Sequence, residues 1–151
     1  MTPPGRQDRE AGNAALELVI LAPALLFIIG LIIALGRVST AENAVSDAAR
    51  DAARQASLQL NGSEASAAGQ ASAQAALAQD GLHCAPQVFV DTTGANGIPG
   101  FQAQVGQPAV VTATVTCDVS LAQIIVPGLP GSETITESFT SPLDPYREKQ
   151  P

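Results

Sequence analysis

The chain has no Trp, one Tyr and four Phe, so aromatic residues make up 3% of its 151 positions. That scarcity argues against a large aromatic-lined ligand pocket. Positive charge is also scarce, with 7 Lys+Arg against 14 Asp+Glu and a net charge of −7. Nucleic-acid binding needs basic surface to neutralise phosphates and is not expected here. There is one histidine, His83, and there are two cysteines, Cys84 and Cys117. His83 adjoins Cys84, but the cysteines lack the close paired spacing of zinc sites, so no metal is expected. The sequence holds no Ser/His/Asp signature, no glycine-rich phosphate loop after a strand and no carboxylate pair in an apolar context. We therefore assign no catalytic residue, no cofactor and no enzymatic activity. Ala, Thr, Ser, Gly and Pro dominate, as expected for a small non-enzymatic extracytoplasmic domain, and the length leaves room for at most one such domain.

Charge is missing altogether from Leu18 to Leu35, and Glu17 is the one ionisable residue between Gly12 and Gly36. Such a run of 18 or more residues is long enough to cross a bilayer as a helix. A carboxylate inside it is expensive and is a functional candidate. The plainer alternative is that Glu17 lies at the head-group boundary and reaches water. Pro23 removes one backbone hydrogen bond within the run. Gly30 and Ala34 form a small-xxx-small pair suited to helix contact, a pattern that chance also produces in a chain rich in Gly and Ala. Arg6 and Arg9, offset by Asp8 and Glu10, precede the run and Arg37 follows it, a count that favours a cytoplasmic N-terminus.

Beyond Gly36 the helix is expected to continue to about residue 60. Ala41, Val45, Ala48, Ala52 and Ala56 recur at spacings of three and four and form a weakly apolar stripe. Asp47–Arg50 and Asp51–Arg54 can pair along its flank. Alanine buries little area, so the stripe permits close packing without driving it. Its partner is either the chain's own C-terminal domain or another subunit. Asn61-Gly62-Ser63 breaks the pattern, and a second helix is expected from Glu64 to Ala78, capped by Ser63 and ended by Asp80-Gly81. Strands are expected at Gln87–Thr93, at Val111–Val119 with one buried face, and at Thr134–Thr140. GANGIPG and the Pro-Gly steps of Val126–Gly131 read as turns, and the C-terminus as a mobile polar tail. The fold class is thus α+β: a long N-terminal transmembrane and amphipathic helix, then a small domain with a second helix and an antiparallel sheet. The boundaries are 1–12 (a disordered cytoplasmic leader), 13–36 (transmembrane), 37–60 (helix continuation), 61–142 (extracytoplasmic domain) and 143–151 (tail). On the outer side of a membrane, a Cys84–Cys117 disulfide is the default; the alternative is two buried free thiols.

The apolar run has three possible fates. It can remain an uncleaved anchor, or be removed by a signal peptidase at Ala34-Leu35-Gly36, leaving a secreted binding domain. The third fate is cleavage before the run. Gly12, then Asn13-Ala14-Ala15-Leu16, then Glu17 and an apolar stretch resembles the prepilin-peptidase site of type IV pilin-like proteins. With GNAALELVILAPALLFII, AARDAARQAS, two cysteines, a Thr-rich strand and a terminal TSPLDPYR, the chain resembles the TadE-like proteins of actinobacteria. These are small pseudopilins, or minor pilins, of tight-adherence (Tad/Flp) pili. Leu18 departs from the Phe found there in many members. The resemblance implies cleavage between Gly12 and Asn13 and a role in pilus assembly, initiation or tip formation, serving adhesion or DNA uptake. It also implies a single-pass position in the cytoplasmic membrane. The implied partners are a prepilin peptidase, other pilins and pseudopilins, the inner-membrane assembly platform and membrane lipid. Glu17 would act in subunit assembly. The new ammonium at Asn13 of one subunit would pair with the Glu17 carboxylate of another and fix helix register.

Overall fold

A computed structural model describes residues 7–93, 99–120 and 131–147, with side chains from Glu17 onward. Helix α1 spans Gln7–Ser57, 51 residues, and passes through Pro23 without ending. Its start at Gln7 differs from the sequence expectation of a disordered leader up to Gly12. Gln, Glu, Arg and Ala are strong helix formers, and QDREA adds a turn and a half before Gly12. Helix α2 spans Gly62–Gln79. A three-stranded antiparallel sheet follows, in the order β1 (Gln87–Asp91), β2 (Ala109–Ser120), β3 (Ser132–Leu143). A single 3-10 turn, Gly100–Gln102, precedes β2. The architecture is α+β, with both helices on one face of the sheet.

The alternation in β2 sets which face is buried. Val111, Ala113, Val115 and Cys117 point to the helices and are buried, while Thr112, Thr114 and Thr116 face outward. On that outer face, hydroxyls pair across strands, Thr112 with Thr140 at 2.9 Å and Thr116 with Thr136 at 3.1 Å. Strand β3 runs from Ser132 to Leu143, longer than Thr134–Thr140, because β2 pairs with it along its whole length from Ser120↔Ser132 to Ala109↔Leu143. Pro142 is tolerated because β3 is an edge strand.

The alanine stripe packs on the chain's own domain. Ala41, Ala44, Val45, Ala48, Ala49, Ala52 and Ala53 are buried in one cluster with Ala73, Ala76 and Leu77 of α2 and with Ala113, Val115, Cys117 and Ile135 of the sheet. Ala56 joins a second cluster with Ala65, Phe101, Val111 and Leu143. Small side chains let three elements approach closely. Gly69 of α2 lies so near β1 that an added Cβ would stand 2.9 Å from Val90 Cγ2. Of the two flank pairs expected on α1, Asp47–Arg50 closes at 3.6 Å, and Arg50 also stacks over the Phe139 ring at 5.8 Å. Among the described residues, Asp51 and Arg54 form no ion pair.

Two local expectations are corrected. The N-cap of α2 is Asn61, whose Oδ1 accepts from the Glu64 amide at 2.9 Å and from the Ser63 hydroxyl at 2.8 Å. Asn caps as well as Ser, and the helix begins at Gly62, so Ser63 already lies inside it. At the other end, Asp80 is the C-cap and Gly81 takes φ +69°, as the Asp-Gly step implies. The C-terminus is not a free tail up to Arg147. Residues 141–143 belong to β3, the Gly106 amide donates to Pro145 O at 2.8 Å, and the Arg147 guanidinium donates to Leu58 O and Gln59 O just past the end of α1. A cation is favoured beside those carbonyls by the helix dipole. The turns expected at residues 94–98 and 126–130, and the last residues of the tail, lie outside the described residues.

Candidate functional site

The candidate site is the N-terminal half of α1. From Glu17 to Gly36 the helix covers 20 residues, about 30 Å at 1.5 Å per residue, which equals the hydrocarbon thickness of a bilayer. Its large side chains are bare on every side: Leu18, Ile20, Leu26, Ile32 and Leu35 are all more than 60% exposed. The second half, Ala41–Ala56, is buried on one stripe against the sheet and α2. One helix therefore has two solvation regimes, and they change over near Arg37. The described chain contains one helix long and apolar enough to cross a membrane. Ala34 is the exception within the bare half. It is buried in the chain itself, so one member of the Gly30/Ala34 pair is not open to a neighbouring helix.

Glu17 is exposed at the foot of this bare segment. Gly12 and Asn13 lie within the helical backbone of α1. Asn13 is one turn, about 6 Å along the axis, below Glu17. A protease requires extended backbone, so a cut at Gly12–Asn13 would require the helix to open there. Glycine makes that opening easier, because it is about 1 kcal/mol less favourable than alanine in a helix interior. The helix that would have to fray ends only five residues earlier, at Gln7.

In the head, Cys84 and Cys117 form a disulfide with a Cα–Cα distance of 5.9 Å. It fastens the connector after α2 to the central strand. The thiols that a Cys/His metal site would need are thereby consumed, and among the described residues no three His, Cys, Asp or Glu side chains gather as a metal site. Sequence reasoning missed Asn61 and Arg147. Asn61 carried a readable signal as an Asn preceding an Ala-rich helix. Arg147 carried none, since its partners are backbone carbonyls 88 and 89 positions away.

The described chain thus joins a bare apolar helix to a small α+β head. Residues 12–54 match the family model described as TadE-like protein. The match begins at Gly12 and runs through the apolar half into the alanine stripe. No curated protein and no solved structure matches the chain.

Proposed function

We propose that this chain is a minor pilin or pseudopilin of a Tad pilus. A prepilin peptidase cuts it between Gly12 and Asn13, and it then acts in pilus assembly, initiation or tip formation with other pilins, pseudopilins and the inner-membrane platform. Its N-terminus faces the cytoplasm and its disulfide-bonded head faces outward. The observation that carries this reading is the division of α1. The alanine half is satisfied by the head, whereas the Leu18–Leu35 half buries almost nothing within the chain and needs lipid or other subunit helices around it.

Glu17 is the assembly residue in this reading. Before assembly its carboxylate stays near the head groups. In a bundle of apolar helices it needs a cation, and the Asn13 ammonium of a neighbour supplies one in a single register. A partner that slips along the helix leaves the charge unpaired. Glu17→Gln keeps the size and removes the charge. The variant is expected to be processed and inserted normally, but to lose crosslinks to pilus subunits. Normal piliation with normal crosslinks would reduce Glu17 to an interfacial residue.

The rival reading is a secreted binding domain released by cleavage after Gly36. It has support in the fold, because that cut leaves the buried stripe from Ala41 onward intact. The N-terminal residue of the mature protein separates the two: Asn13 for the pilin-like protein, Arg37 for the secreted one.

A further inference from the structure

We propose that the cleft between α1 and the foot of the head binds the phosphodiester head group of a membrane phospholipid. The cleft holds about 690 Å³, with Ile33, Arg37 and Thr40 of α1 on one side and Leu82, His83 and Val119 of the head on the other. That volume lies within the range of about 300–1,000 Å³ typical of small-molecule sites.

The height of the cleft along α1 comes first. Ile33 belongs to the bare apolar segment, and Arg37 is the first ionisable residue after it. If Leu18–Leu35 fills the hydrocarbon layer, the cleft opens at the level of the lipid phosphates. Its chemistry changes in the order a lipid requires. Ile33 and Ile29, four residues apart and both exposed, give an acyl chain a continuous apolar track up to the cleft. One turn above Ile33 stands Arg37, the only Lys or Arg between Arg9 and Arg50 in a chain of net charge −7.

The cation sits where an anionic head group would arrive. Arg37 is already engaged within the chain, but a guanidinium has five donors in a fork and can hold a phosphate oxygen as well. The exposed His83 ring, across the cleft, offers a second donor. Asp80 also lines the cleft. Its carboxylate accepts from a glycerol hydroxyl or an ammonium and opposes a bare anion. The mixed charge therefore fits a lipid head that carries donors beyond its phosphate, such as phosphatidylglycerol or phosphatidylethanolamine, and disfavours free phosphate.

The test uses the full chain reconstituted in phosphatidylcholine nanodiscs doped with phosphatidylglycerol or phosphatidylethanolamine, followed by native mass spectrometry of retained lipid. Wild type is expected to keep one doped lipid per chain. Arg37→Gln and His83→Ala are expected to lower that occupancy at least tenfold. Gly36→Leu projects a side chain from the cleft wall, because Gly36 lines the cleft and an added Cβ there meets nothing within 4 Å. It should lose the lipid while keeping its disulfide and its melting temperature. The inference rests on the membrane reading of α1, and vesicle flotation tests that separately. A chain that floats but retains no doped lipid refutes the cleft site alone; a chain that does not float refutes both. Unchanged retention in all three variants overturns the proposal. So does displacement of the lipid by inorganic phosphate, or a wild-type dimer that Gly36→Leu abolishes, which would assign the cleft to a second copy.

Discussion

Opening the Cys84–Cys117 bond is expected to destabilise the head by about 3.7 kcal/mol, from the chain-entropy cost of freeing a loop with a sequence separation of 33. The two positions are not equivalent beyond that shared cost. Cys84 is half-buried in a connector, whereas Cys117 is 1% exposed on the central strand. Cys117→Ser therefore also places a hydroxyl in the core, at a further cost of about 1–3 kcal/mol if it goes unsatisfied. Cys84→Ser should show the smaller loss and Cys117→Ser the larger. The double variant should match Cys117→Ser and not the sum of the two singles, because one bond can be lost only once. For a head of this size the loss of the bond corresponds to a drop of about 15–30 °C in melting temperature. The assay is thermal unfolding of the full chain in detergent by circular dichroism, with and without reductant, alongside alkylation of protein taken directly from the envelope. Additive single-variant effects, a melting temperature indifferent to reductant, or two alkylatable thiols in untreated protein would refute the reasoning.

Two further substitutions probe the packing. Gly69→Ala gains about 1 kcal/mol of helix propensity, but its Cβ would stand 2.9 Å from Val90 Cγ2, and overpacking of this kind costs about 1–3 kcal/mol. The net expectation is a modest loss in urea midpoint, greater for Gly69→Val; a stabilised Gly69→Ala variant would show that α2 and β1 are not in tight contact. Arg147→Ala removes the guanidinium bonds to Leu58 O and Gln59 O and is expected to cost about 1–2 kcal/mol after discount for its partial exposure. It should speed hydrogen exchange in the α1–α2 loop, and unchanged exchange there would remove Arg147 from its anchoring role.

How much of this was legible varies with the range of the interaction. The period-two pattern of Val111–Val119 fixed the buried face of β2 by itself, because strand side chains alternate strictly. The Ala41–Ala56 stripe was also visible, but its partner was not. Alanine bears no mark of whether it faces its own domain or another subunit, and only the fold brings α2 and β2 onto it. The α2 cap was missed by two residues because Asn61 and Ser63 are both good caps and periodicity does not locate a helix start that finely. The leader helix was missed because Pro3, Pro4 and Gly5 colour the segment as irregular, although the residues from Gln7 onward favour helix. The anchoring of Arg147 was invisible, since carbonyl acceptors are present at every position of a chain. Within the candidate site, the spacing of Gly12 and Glu17 was readable from the start. The abrupt change from bare to buried helix near Arg37 required the structure.

In the proposed function the Leu18–Leu35 segment is retained as the start of a processed, assembly-competent subunit. Intact-mass measurement of the mature protein, from cells with and without the prepilin peptidase, tests it most directly. The mature chain is expected to begin at Asn13 in the presence of the peptidase, and a species larger by the first 12 residues is expected in its absence. Gly12→Ala should accumulate the larger species as well, because the added methyl obstructs the close backbone approach in the protease cleft. A mature chain that begins at Arg37, or the same mass with and without the peptidase, would contradict it.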